Sequence, residues 1–239
     1  RALNQTYASF NILPTSNFSK IEIFPTLNDF VKILKSIEGG EKIADELYPF
    51  TEGSYSGFLN QPTNVSLEKR IVIFGFKDLI EELRPIGMYV VLNDLMNKVR
   101  REIKKRVLII DEAWWIMRNE SGANFLLNAI KRGRKYQLGI TNITQDVEDF
   151  LNSPYGKPII TNSALVFLMK QSPVTIDLVG QVFSLSEGEK RFLVQAERGK
   201  GLLIAGLKRI PVFILGSYIE DQIIRSTPEQ LLAIKKASE

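Results

Sequence analysis

The feature that most narrows what this chain can fold into is residues 106–117, RVLIIDEAWWIM. A basic residue leads into four apolar ones, Val107 to Ile110, which end at two adjacent acids, Asp111 and Glu112. Unalternating Val, Leu and Ile predict a strand buried on both faces, as in a parallel sheet with helices on either side. Ligands of such sheets bind beyond the carboxyl ends of the strands. Carboxylates are costly to bury unpaired, so the pair is expected to face a cleft. The plain alternative, a strand that ends in two solvated acids, stays open on this stretch alone.

Composition closes off much other chemistry. Among 239 residues there is no cysteine and no histidine. Disulfides, thiolate nucleophiles, His-based triads and His- or Cys-ligated metals are therefore excluded. Catalysis, if present, must rest on carboxylates, Lys and Arg, hydroxyls, amides and a bound metal. An apolar fraction of 44% allows a real core, and a net charge of +4 permits contact with nucleic acid or acidic lipid without demanding it. No apolar run reaches the roughly 18 residues of a spanning helix, and no secretory signal is visible. The chain opens at Arg1 rather than Met and is expected to be a piece of a longer protein.

Along the chain, residues 1–28 read as irregular, with a short strand at 21–24. Leu27, Phe30, Val31, Leu34 and Ile37 recur at helical spacing and stop at Gly39-Gly40. A second helical piece follows over 42–47. Residues 50–62 read as a Gly/Ser/aromatic loop and 70–76, RIVIFGF, as a buried strand. A short helical turn over 78–84 precedes a long helix over 86–105. Its basic end (Lys98 to Arg106) reads either as a solvated complement to the helix dipole or as a patch for nucleic acid or a neighbouring subunit. A helix over 121–132 is expected to be capped by Gly133, with a strand at 138–144. A helical turn follows at 146–152, then a strand at 164–169 and a helix from Ser172-Pro173. Ser186 and Glu189 form a capping box for another helix. Two antiparallel strands, 200–207 and 210–215, should flank a Lys208-Arg209 turn, and a polar helix should follow Thr227-Pro228. Alternating strands and helices predict an α/β fold: a mostly parallel sheet with antiparallel strands at one edge. The expected domains are a helical piece with connecting loops, 1–64, and the α/β core, 65–239.

Further candidates surround the acid pair. If sequential strands are neighbours, Gln145 shares a rim with Asp111 and Glu112, where its amide could contact a γ-phosphate and the attacking water; it reads equally as a capping or surface residue. Between the strands lies Lys131-Arg132-Gly133-Arg134-Lys135-Tyr136. A guanidinium suits phosphate oxygens, although the run also reads as a plain basic helix end. Trp114 and Trp115 read as packing, or as contact with a partner subunit.

The acid pair after an apolar strand matches the Walker B arrangement of ATP-hydrolysing motors. There the first acid holds Mg2+, usually through water, and the second polarises the attacking water. With KRGRKYQLGITNITQD, ITNSALVFLMKQ and GKGLLIAG, the chain resembles the carboxyl-terminal half of the type IV secretion and conjugative-transfer ATPases. These are the TraC-like members of the FtsK–HerA group of RecA-like motors. The resemblance covers about 50–225, and residues 27–48 look like the family's helical insertion. It implies a RecA-like fold, ATP and Mg2+ as ligands, and a homo-oligomer, expected to be hexameric. The assembly would lie peripherally at the cytoplasmic face of a bacterial inner membrane, among other secretion components, driving transport or pilus biogenesis. Carried over residue by residue, Asp111 is the metal residue, Glu112 the catalytic acid and Gln145 the sensor. Arg134 is the arginine finger from a neighbouring subunit, Arg132 the alternative finger, and Arg198 a further phosphate-facing residue.

One departure is large. The phosphate loop G-x-x-x-x-G-K-[ST] does not occur in this chain. Glu38-Gly39-Gly40-Glu41-Lys42 lacks the spacing, and Arg198-Gly199-Lys200-Gly201 lacks both the spacing and the final hydroxyl. In the family the loop lies before the helical insertion, upstream of Arg1, so this stretch alone is not expected to bind or hydrolyse ATP. Two other readings stay open: a DNA-translocating ATPase of the FtsK, HerA or coupling-protein type, and a non-hydrolysing scaffold with the same fold.

Overall fold

The computed structural model describes residues 1–224 with the exception of Asp146. The polar helix expected from Thr227-Pro228 lies outside them. The chain divides into two compact units, Arg1–Ile73 and Phe74–Glu239.

The first unit is helical. Thr26 and Asp29 form a capping box that starts the helix Leu27–Lys35, and Val31 and Leu34 pack on Ala44 of the helix Glu41–Glu46. The first stretch, expected to be irregular, instead opens with a helix, Ala2–Ser9, whose buried Thr6 donates its hydroxyl to the Ala2 carbonyl (2.9 Å). The expected loop 50–62 contains a one-turn helix, Ser56–Leu59, just after another at Tyr48–Thr51. Asn60 accepts from the Asn28 N–H and donates to the Thr51 carbonyl, closing that turn. The strands expected at 21–24 and 70–76 do not form. Ile71 and Ile73 are 77% and 87% exposed. Apolar residues make a strand only when an edge is available to pair with, and neither stretch has one among the described residues.

Among its described residues the second unit carries five strands: β1 Arg106–Ile110, β2 Leu138–Asn142, β3 Leu165–Leu168, β4 Lys200–Ala205 and β5 Lys208–Phe213. β1 and β2 pair in parallel, Arg106 opposite Leu138 and Ile110 opposite Asn142. β3, β4 and β5 form a separate antiparallel sheet. The single sheet expected from the sequence is thus two pieces within this chain, and β2 and β3 are each hydrogen-bonded to one described neighbour only.

The helices Arg84–Arg101 and Glu120–Gly133 cover one face of β1 and β2. Leu92, Met96 and Val99 from the first and Ala123, Leu126 and Ala129 from the second meet Leu108, Ile110, Leu138 and Ile140. The other face is open. Val107 is 71% and Ile109 64% exposed, beside exposed Gly139 and Thr141. The expected burial on both faces is therefore corrected: the run is apolar enough for two covers, and the described residues supply one. The long helix ends at Arg101 rather than Lys105, leaving Ile103 exposed.

Two turns differ in detail from the expectation. Gly133 is the last residue of its helix, in ordinary right-handed conformation. A Cβ there would stand 2.8 Å from the Leu138 carbonyl oxygen, so close approach of the returning strand explains the glycine. The left-handed residue is Gln137, φ 56°. The β4–β5 turn falls at Gly206-Leu207, with Gly206 at φ 61°.

The Ser186–Glu189 capping box forms as expected on the helix Glu187–Gln195. Ser186 N–H donates to Glu189 (2.7 Å), and Arg209 of β5 donates to the same carboxylate (2.9 Å) and to the Phe183 and Ser184 carbonyls. The Ser186 N–H, with Arg209 adding its charge, holds the Glu189 carboxyl below the usual carboxylate range. A lowered folded-state pKa gives stability that is full above the ordinary glutamate value and is lost as pH falls through the lowered one. Glu189→Gln is expected to cost about 1 kcal/mol at neutral pH and to flatten the acid side of the stability curve. Urea unfolding across pH 3–7 checks both.

Candidate functional site

The acids fall where the β1 ladder ends. Ile143 N–H donates to the Ile110 carbonyl and Ala113 N–H donates to the Ile143 carbonyl, both at 2.9 Å. The chain leaving β2 therefore brackets Asp111 and Glu112, and Gln145 follows two residues later on the same rim. Beside them Asn142 holds a buried Oδ1 without a described partner.

The backbone at the acids is unusual. Glu112 has φ 48°, left-handed for a residue with a side chain, a strain that tends to collect at functional sites. Its N–H donates to Asp111 Oδ1 (3.0 Å), and its own Oε2 accepts from the Trp114 indole N–H (2.7 Å). Trp114 and Trp115 stack at 4.6 Å. The Arg118 guanidinium lies 4.4 Å and 4.7 Å from their ring centres, and Arg84 is 5.6 Å from Trp115. The two indoles thus stack on each other and against the Arg118 guanidinium, and Trp114 also donates to the second acid.

The carboxyl ends of β2 and β3 share an open cleft of about 390 Å³, lined by Gln145, Val147, Glu148, Lys170, Gln171, Ser172 and Thr175. Such a volume suits a small ligand. Asp111 and Glu112 border the same rim but are not among its walls. Lys170, Gln171 and Ser172 were not singled out from the sequence. The available signal was their position directly after an apolar strand, the same position that marked the acids.

The arginines divide between the two ends of the strands. Arg132 and Arg134 precede β2 and so lie at its amino end, opposite the acids. Five residues of strand separate the ends by about 16 Å, beyond the reach of a side chain. Arg198 precedes β4, whose Leu202 pairs with Leu168 of β3, so it lies at the cleft's end of the sheet. All three are exposed, and none forms a salt bridge with a described residue.

For a metal, no described cluster of three or more acidic, His or Cys ligands exists. Asp111 alone nevertheless fits Mg2+, which is commonly held by one or two carboxylates plus waters and substrate phosphates. No described helix is long and apolar enough to cross a membrane.

Residues 41–202 match the model of the TraG P-loop domain. The structure resembles VirB4 of Thermoanaerobacter pseudethanolicus with a TM-score of 0.79 and 26% identity, over 92% of this chain and 63% of that one. The DNA import protein CedB of Sulfolobus acidocaldarius is 28% identical over 137 residues, 56% of this chain and 20% of CedB. The chain thus spans a fifth of that curated relative and under two thirds of the VirB4 chain. The α/β, RecA-like fold expected from the sequence is the fold it shares with VirB4. With a family match across more than half its length and the fold of VirB4, the chain belongs to the TraG P-loop domain family, in keeping with its resemblance to the type IV secretion ATPases.

Proposed function

We propose that this chain is the Walker B half of a Mg2+-dependent ATPase that powers a secretion or conjugation machine. The observation that carries the reading is the rim itself: paired acids at the end of β1, bracketed by the segment that leads to Gln145. In this reading Asp111 holds Mg2+, which neutralises charge developing on the phosphates. Glu112 accepts a proton from the attacking water, Gln145 reads the γ-phosphate from the cleft, and Arg198 faces phosphate from the same end.

The phosphate loop missing from these residues comes, in this proposal, from another part of the protein. In this proposal its strand would pair with the edges of β2 and β3 that no described strand occupies. The first unit is then the motor's helical insertion. The assembly is a homo-oligomeric ring, taken as a hexamer, docked with other secretion components on the cytoplasmic face of the inner membrane.

The test is phosphate release by the full-length protein at varied Mg2+. Asp111→Asn is expected to raise the Mg2+ needed for half-maximal rate and to lower the rate at least tenfold. An unchanged Mg2+ dependence removes Asp111 from the site. No hydrolysis by a full-length protein that contains a phosphate loop favours the scaffold reading.

A second reading has its own support: CedB is described as a DNA import protein, and basic residues cluster at 98–106 and 131–135. A DNA-translocating ATPase would show DNA-stimulated turnover that falls steeply with salt.

A further inference from the structure

We infer that Trp114 is a positioning residue for Glu112. The inference rests on the proposed role of Glu112 and adds to it a neighbour that the sequence left between packing and partner contact. The Trp114 indole N–H reaches Glu112 Oε2 at 2.7 Å. That bond occupies one carboxylate oxygen and leaves Oε1 to accept from a water. A base held by a third group is the usual arrangement of an oriented catalytic pair.

The indole is itself fixed. It stacks on Trp115 at 4.6 Å and lies under the Arg118 guanidinium at 4.4 Å, and Arg118 reaches Glu81 at 3.7 Å. Ile116 and Met117, in the same helical turn, are buried in the core beneath β1. The donor is thus held by stacking, on a turn that Ile116 and Met117 anchor in the core. The acceptor sits on a left-handed backbone at φ 48°, which gives the carboxylate a direction that an ordinary strand end would not. An N–H to a charged oxygen is among the stronger hydrogen bonds, and partners that orient a functional ligand typically matter ten- to hundredfold.

The experiment compares Trp114→Phe with Trp115→Phe in the full-length protein. Each removes one indole from the same stack, but only the first removes the bond to Glu112. Trp114→Phe is expected to lower kcat about tenfold with KM for ATP little changed, while Trp115→Phe stays near wild type. In a Glu112→Gln background Trp114→Phe should add almost nothing, because its effect passes through the carboxylate.

Equal losses in the two tryptophan variants would overturn the inference, as would an increase in kcat from Trp114→Phe. If Trp114→Phe does not fold, tryptophan emission decides. Glu112→Ala should shift the indole emission because it removes the acceptor, and Glu112→Gln should shift it less because an amide oxygen still accepts. Identical spectra for wild type and Glu112→Ala overturn the inference. Turnover that survives Glu112→Gln defeats the underlying role of Glu112; turnover lost there but kept in Trp114→Phe defeats only the part given to Trp114.

Discussion

Glu112→Gln, in the full-length protein with Mg2+ present, is expected to bind ATP as wild type does and to turn it over about 10²–10⁴ times more slowly, the usual worth of a positioned general base. The substitution keeps shape and volume and exchanges one carboxylate oxygen for an amide nitrogen. The remaining oxygen can still accept from Trp114 Nε1, so the 2.7 Å contact and the left-handed backbone at φ 48° are not disturbed. What is lost is the negative charge that takes a proton from water. Because Asp111 keeps its carboxylate, Mg2+ and nucleotide affinity should persist, and nucleotide should accumulate unhydrolysed. Fluorescent-nucleotide titration gives the affinity, and phosphate release gives the rate. Binding and turnover that fall together would mean a damaged pocket rather than a missing base; an unchanged rate would assign the base to another residue.

How much of this was legible in advance follows from what each signal depends on. Signals set by near neighbours in sequence survived into three dimensions. The Ser186 cap needs only four consecutive residues and formed as read. The strand of 106–110 and its parallel partner at 138–142 were visible as apolar runs, and their adjacency followed from their order. The acid pair and Gln145 share a rim because both strands point the same way. Signals that depend on a partner were less secure. Residues 70–76 read as a strand by composition, yet no described edge meets them, and Ile73 stands in solvent. Val107 and Ile109 are apolar enough for a buried face and are exposed, because both covering helices lie on the other side. Gly133 looked like a cap but is there to let Leu138 pass close by. Lys170, Gln171 and Ser172 were overlooked because no charge pair marked them; only the fold brings the end of β3 to the end of β2. Neither reading of Trp114, packing or partner contact, pointed to Glu112, because a hydrogen bond between residues two apart has no signature in sequence.

The geometry of the arginines leads to the second large effect. Arg134 and Arg132 precede β2, at the opposite end of the strand from Asp111, Glu112 and Gln145. Neither can serve the acids of its own chain across about 16 Å of strand. If Arg134 is a finger, it acts on a neighbouring protomer, and Arg134→Ala should lower turnover about 10³–10⁵-fold, the range of such residues elsewhere, while each chain still binds ATP. The decisive measurement mixes protomers. Arg134→Ala protomers keep an intact acid pair and lack the finger; Glu112→Gln protomers keep the finger and lack the base. A shared interface between the two supplies one complete site, so mixtures should recover activity that neither variant has alone, with a maximum at intermediate ratios. An arginine acting within its own chain predicts no recovery at any ratio. Arg132→Ala, run in the same series, separates the two candidates, which stand two residues apart: recovery with one and full activity in the other identifies the finger. The exposure of both side chains without a described ionic partner leaves each free to reach across a subunit boundary, and loss of activity on dilution below the assembly concentration should accompany the mixing result.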